Sequence, residues 1–140
     1  AMIARWPDDV DTIVNAGVLA HRLGDGAAAG TWWLRAIDLN PSLPRVHLYV
    51  AELLDRSDRA AEALPHYRAY LEIVAAATAR DRPAPQEIVP VVVKFADALA
   101  RQGERAAAVL QYDLAIRMAQ QTGLADIERQ AAARRGTMGK

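Results

Sequence analysis

The chain repeats itself at a fixed interval. A step of 34 residues carries Gly17 onto Ala51, Gly24 onto Asp58, Ala29 onto Ala63, Trp33 onto Tyr67 and Ile37 onto Leu71. A second step of 45, which is 34 plus an 11-residue insertion, carries those positions onto Ala96, Gly103, Ala108, Tyr112 and Ile116. Small residues fall on small, aromatic on aromatic, and turn formers on turn formers. Self-similarity at a period of about 20–50 residues marks stacked units, each too small to bury its own apolar face. A bundle of unrelated helices would also be alanine-rich and amphipathic, but it has no reason to keep this register.

The repeating unit is helical. Ala60, Ala63, Leu64, Tyr67, Leu71 and Val74 form a stripe at i+3/i+4 spacing, and strand signals are nearly absent. Turn formers fall at Leu23-Gly24-Asp25-Gly26, Asn40-Pro41-Ser42, Arg56-Ser57-Asp58 and Gln102-Gly103-Glu104. The pattern predicts helices over 9–23, 26–39, 44–56, 60–79, 86–102, 105–121 and 124–135. Asp8 or Asp9 caps the first, and Pro41 closes the first hairpin. Ala75 holds the corresponding slot in the second hairpin, so its second helix is free to run on to about Arg80. Pro83 and Pro85 prohibit a regular helix through the insertion, 78–88, and Pro90 is tolerated only in a first helical turn. The hairpins then occupy 10–43, 44–77 and 89–122, with a capping helix and tail over 123–140. Pro7 and Ile3 lie 34 residues before Pro41 and Ile37, so residues 1–9 are either the tail of a preceding repeat or a chance match. In the first case Trp6 and Trp32 face a missing neighbour.

These slots resemble the tetratricopeptide repeat, a 34-residue helix-turn-helix patterned W-x2-L-G-x2-Y, then A-x3-F, then Pro. The first hairpin fills them with Ile13, Ala16, Gly17, Ala20, Ala29, Trp33 and Pro41. The second uses His47, Val50, Ala51, Leu54, Ala63, Tyr67 and Ala75, and the third Val92, Phe95, Ala96, Leu99, Ala108, Tyr112 and Gln120. The match covers residues 10–122. It implies an all-α superhelix, a solenoid of three helical hairpins with a C-terminal capping helix. Gly17, Ala51 and Ala96 would meet Ala29, Ala63 and Ala108 where two helices touch, and Trp33, Tyr67 and Tyr112 would fill the wedge between hairpins.

Bulk chemistry narrows function by exclusion. Of 140 residues, 52% are apolar, enough for an ordinary folded core. Seventeen basic and seventeen acidic side chains cancel, so the diffuse positive field that drives nucleic-acid binding is missing. No cysteine is present, which removes disulfides, thiolate nucleophiles and Cys-ligated zinc. The apolar run Ile88–Val93 is far short of the roughly 20 residues a membrane span needs. The missing export-signal pattern decides no compartment, and the location is left unknown, with the cytoplasm favoured and the periplasm open. Only Lys94 and Lys140 are lysine, and that arginine bias, with the abundant alanine, points to a GC-rich bacterial genome.

Signals for chemistry are better explained by the repeat. Gly24-Asp25-Gly26-Ala27-Ala28-Ala29-Gly30 looks like a dinucleotide-binding loop, but that loop follows a strand, and here a helix precedes it. His21, His47 and His66 fall on three different helices, so no metal site is expected, and His47 reads as core or rim packing. Asp8-Asp9 and Glu52-Asp55 are accounted for by a helix cap and a solvated helix face. No catalytic motif occurs, and the chain is read as a non-enzyme without cofactor or metal.

The resemblance implies a concave groove built from the first helix of each hairpin, one that takes a protein or peptide segment. By slot, Asp11, Val14, Asn15, Val18 and Arg22 would line it first, then Arg45, Leu48, Tyr49, Glu52 and Arg56, then Val93, Lys94, Asp97 and Arg101. Val14, Leu48 and Val93 would make its apolar strip. The family's carboxylate clamp for chaperone tails is not expected, because its slots hold Val14, Val18, Tyr49, Pro90 and Lys94, of which only Lys94 is cationic. Two other roles stay open: self-association through an open end of the stack within a larger bacterial complex, and service as accessory domain to a fused enzyme.

Overall fold

The computed structural model describes residues 9–138, and these form seven α-helices without a strand. They are α1 (Val10–Arg22), α2 (Gly26–Leu39), α3 (Pro44–Arg56), α4 (Ala60–Ala76), α5 (Pro85–Arg101), α6 (Arg105–Thr122) and α7 (Ala125–Met138). Helices α1/α2, α3/α4 and α5/α6 pack as hairpins, and the hairpins join through α2 on α3, α4 on α5 and α6 on α7. Each unit thus touches its sequence neighbours, which is the organisation of a solenoid.

The 34-residue register has a direct backbone signature. Gly24, Asp58 and Gly103, superposed by the repeat, all adopt left-handed φ angles of 82°, 60° and 78°. Each closes the first helix of its hairpin, where a left-handed residue lets the chain reverse. Both helices of the first hairpin have side-chain caps. Asp9 accepts from the Asp11 amide at 3.2 Å and the Thr12 hydroxyl at 2.8 Å, and Asp25 accepts from the Ala28 amide at 3.0 Å.

The core follows the slots. Ile13, Ala29, Trp33, Ala36, Val46 and Val50 form one cluster between the first hairpin and α3. Ala51, Ala63, Tyr67, Ala96, Ala108 and Tyr112 lie in a second, larger cluster that runs on to Ala131 of α7. Trp33 is half the reason Gly17 is a glycine: a Cβ there would sit 2.3 Å from the indole Nε1. Gly26 and Gly30 are also packing positions, each with space for a Cβ limited by Leu53 at 3.3 Å, so the glycine-rich segment builds the α2–α3 contact.

Four details differ from the sequence pattern. Helix α4 stops at Ala76, not near Arg80, because Ala77 turns extended (φ −68°, ψ 149°) and Arg82 folds back to donate to the carbonyls of Val74, Ala75 and Ala77. These carbonyls lie at the helix end, where intrahelical partners run out, and that of Val74 is shared with the Ala77 amide at 3.3 Å. Helix α5 begins at Pro85, which places Pro90 beyond the first turn and forgoes one backbone hydrogen bond. An interior proline costs about 3 kcal/mol, but Ile88, Val89, Val91, Val92 and Val93 are all buried around it, each contributing roughly 1.5–3 kcal/mol. Burial wins. Helix α7 extends to Met138, whose side chain packs on the larger cluster. Trp32 is half-buried against the first cluster. Asp8, Trp6 and the Pro7 and Ile3 matches lie outside the described residues.

Candidate functional site

The first helices α1, α3 and α5 share one face, and two adjoining recesses open on it. The first, about 190 Å³, is walled by Val18 and His21 of α1, Trp33 of α2, and Tyr49, Glu52, Leu53 and Arg56 of α3. Its aromatic wall is continuous: the Trp33 ring lies 5.0 Å from Tyr49 and 5.9 Å from His21, centroid to centroid, both tilted. The Trp33 indole N–H donates to the Val14 carbonyl at 3.3 Å, which fixes the ring. The second recess, about 480 Å³, is polar and lined by Glu52, Asp55, Arg56, Asp58, Tyr67, Lys94 and Arg101. Glu52 and Arg56 belong to both, so the recesses form one channel from α1 to α5.

Apart from Asp58, the charges in the polar half are paired within the protein. Lys94 Nζ lies 2.8 Å from a Glu52 carboxylate oxygen that also has Arg56 at 4.0 Å. Arg101 pairs with Asp55, which accepts the Tyr67 hydroxyl at 2.9 Å. One hairpin further on, Asp97 accepts from the Tyr112 hydroxyl and from Arg134 of α7. The two tyrosine slots thus each send a hydroxyl to a carboxylate on their own hairpin's first helix, and an arginine of the next hairpin, or of the cap, neutralises that carboxylate. Burial, reinforced by the hydrogen bond to Asp55, pushes the Tyr67 hydroxyl pKa well up, and the same pair of causes acts on Tyr112 beside Asp97. Both phenols therefore stay protonated and donate.

The residues assigned by slot divide into groups. Val18, Tyr49, Glu52, Arg56, Lys94 and Arg101 line the channel. Asn15 and Arg22 are exposed on α1 beside it without lining either recess. Leu48 packs half-buried on the larger core, and Asp97 is held under α7 by Arg134. Val93 corrects the expected apolar strip: it is buried and belongs to the core. Trp33, His21, Asp55 and Tyr67 were absent from the slot-derived groove. Asp55 sits one turn after Glu52 on the same α3 face, and that spacing was a usable signal.

Two of the three histidines do meet, contrary to their placement on separate helices. His47 of α3 and His66 of α4 bring their Nδ1 atoms within 3.1 Å, and His47 Nε2 lies 2.8 Å from the Pro41 carbonyl oxygen. A carbonyl can only accept, so Nε2 of His47 carries the proton, and a neutral His47 accepts from His66 through Nδ1. Burial first, and the neighbouring imidazole second, lower the His66 pKa below its usual 6.5. His47 is thus buried by a specific polar contact, beyond simple packing. Among the described residues no group of three or more side chains could hold a metal ion, and no helix is long and apolar enough to cross a membrane.

With this geometry in hand, comparison with known proteins is decisive at the level of fold. No family model matches the sequence, and no curated protein does. Solved structures do. The N-terminal domain of stress-induced protein-1 from C. elegans superposes with a TM-score of 0.74 at 15% identity, covering 94% of each chain. An Arabidopsis OM64 TPR domain gives 0.67 at 14% identity, over 91% of this chain and 94% of that one. The chain has the tetratricopeptide-repeat fold. The structure of PcrH in complex with the chaperone-binding region of PopD is also similar, with a TM-score of 0.70 at 14% identity over 99% of this chain and 96% of PcrH. These tetratricopeptide-repeat and chaperone structures share the superhelix at identities too low to carry any residue's role across.

Proposed function

We propose that this tetratricopeptide-repeat chain is a non-enzymatic scaffold that holds an extended protein segment in the channel along α1, α3 and α5. The observation that carries the reading is the pairing of an aromatic recess with a braced polar one. Trp33, Tyr49, Val18 and Leu53 offer a desolvated wall for one apolar side chain, while Glu52, Lys94, Arg56 and Arg101 hold directional polar groups in place beside it. Aromatic anchors flanked by polar groups are the usual make-up of a peptide-binding hot spot. PcrH, solved in complex with the chaperone-binding region of PopD, is a similar fold engaging a protein segment. Lys94 and Arg101 already face Glu52 and Asp55, so a purely acidic tail would have to displace internal carboxylates. An apolar anchor with mixed-charge flanks suits the channel better. The proposed contacts are Asn15, Val18, Arg22, Leu48, Tyr49, Glu52, Arg56, Lys94, Asp97 and Arg101, with Trp33 and His21 added.

The test is partner capture by the Tyr49→Ala/Lys94→Ala chain against a Leu110→Ala control, with folding checked by circular dichroism. The reading predicts loss of the captured partner only in the groove variant, with helicity retained. Equal capture by all three chains contradicts it.

A second reading, self-association through the first hairpin, draws on one observation. Leu19, Leu23, Leu34 and Leu39 of that hairpin are all exposed, Leu23 by 76%. Sedimentation across a concentration range, with Leu23→Glu as comparison, decides it. A clean monomer at high concentration removes the reading.

A further inference from the structure

The second helices carry a recess of their own, which shares no lining residue with the peptide channel. It lies between α4 and α6, floored by Ile88, Val92 and Phe95 of α5, and measures about 610 Å³. That is within the roughly 300–1,000 Å³ typical of small-molecule sites. Its α4 wall runs from Arg68 to Ala75 and its α6 wall from Gln111 to Met118, which at 1.5 Å per residue is a trough about 10 Å long. Two helical turns is short for a docked partner helix and well suited to a short hydrocarbon chain. The matching recess between α2 and α4 is different in kind, lined by Thr31, Ser57, Arg59, Glu62 and His66 among its residues.

Charge at the rim sets the sign of the ligand. Arg68 stands over the Phe95 ring, 5.7 Å from guanidinium carbon to centroid, and has no carboxylate partner among the described residues. A guanidinium so placed keeps donors in a fixed fork for a carboxylate. Arg82 adds positive charge at the opposite end but is committed to the α4 carbonyls. Glu72 supplies the one acid on the rim and opposes a second negative group.

We propose that this trough binds a monoanionic amphiphile, a medium-chain carboxylate whose head group meets Arg68 and whose tail lies along Leu71, Val92, Leu114 and Met118. The test is titration of the ¹⁵N-labelled full chain with decanoate below its micelle concentration, followed by amide shifts. Saturable shifts confined to residues 68–75, 88–95 and 111–118 are expected. Arg68→Glu, at an exposed position, should weaken the apparent Kd by about tenfold or more, the loss of one charge-assisted hydrogen bond. Decanol should be weaker by a similar factor. Ala75→Trp, also at an exposed position, should obstruct the tail end while the remaining spectrum stays unchanged. The proposal is overturned by absence of saturation, by shifts centred on α1 and α3, by binding indifferent to Arg68→Glu, or by decylammonium binding as well as decanoate. Two other outcomes also overturn it. Broadening of these amides with protein concentration alone would assign the trough to a second copy, and saturation by an amphipathic helical peptide but not by decanoate would assign it to a partner helix.

Discussion

Gly17 and Trp33 occupy one shared volume: the space a Cβ on Gly17 would need lies 2.3 Å from Trp33 Nε1 and 2.5 Å from Cδ1. At the superposed positions the other hairpins carry alanine and tyrosine, Ala51 with Tyr67 and Ala96 with Tyr112, all buried in the larger cluster. Gly17→Ala should therefore destabilise. Overpacking costs about 1–3 kcal/mol against a helix-propensity gain of about 1 kcal/mol, and Trp33 is too firmly held to yield. Trp33→Tyr alone should also lose stability through the void it leaves. The double variant recreates the alanine–tyrosine pair and should be more stable than the sum of the single effects predicts. Urea denaturation of the four chains measures the coupling, and strict additivity would show that the two sites do not share space.

The turn register gives opposite signs at equivalent positions. Asp58 holds φ 60° and Gly103 φ 78°, with open space for a Cβ at Gly103. A left-handed L-residue carries roughly 1–2 kcal/mol of strain, less for aspartate, and glycine adds unfolded-state entropy of about 0.4–1 kcal/mol. Gly103→Ala should lower stability by about 1 kcal/mol, while Asp58→Gly should leave it unchanged or raise it slightly. Matched melting curves check both.

Alkaline unfolding should follow the buried phenols. Tyr67, Tyr70 and Tyr112 all have native pKa values raised above 10.0, with burial the leading cause at each. The unfolded chain releases these protons first, so their stabilisation is complete below pH 10 and is lost as pH rises through and beyond that value. Ultraviolet titration should show phenolate from these residues appearing together with loss of helicity. Tyr67→Phe should reduce the steepness of the alkaline transition.

On the acid side the histidine pair acts in the reverse sense. The His66 pKa is lowered in the native state from 6.5, so the unfolded chain binds the proton more tightly. Its contribution is complete above pH 6.5 and declines as pH falls through the lowered native value. Protonation of both rings would also set two N–H groups against each other across 3.1 Å. Wild type should lose more thermal stability than His66→Gln between pH 7.5 and 5.5. Equal losses would remove the pair from the account.

Much of the fold was legible because the repeat constrains several residues at once. Gly24, Asp58 and Gly103 share a turn, and Trp33, Tyr67 and Tyr112 share a buried slot, so each supports the assignment of the others. What stayed hidden depended on single tertiary contacts. Arg82 folding back on α4, His47 reaching Pro41 and His66, and Arg134 crossing from α7 to Asp97 leave no periodic trace. The lining of the two recesses was readable by helix face for Val18, Tyr49 and Lys94. It was misread at Val93, where α5 is buried more completely than slot transfer implies, and at Trp33, whose ring fills the hairpin wedge and also walls a recess.

The proposed function is tested most directly by site-specific photocrosslinking in cells that naturally express the chain. A benzophenone amino acid is placed at Arg56, which borders both recesses, and separately at Leu110, 66% exposed on α6 and away from them. The account predicts one defined protein segment, with an apolar residue at its centre, crosslinked from position 56 and absent from position 110. Adducts of equal yield and identity at both positions, or none at position 56, would contradict it.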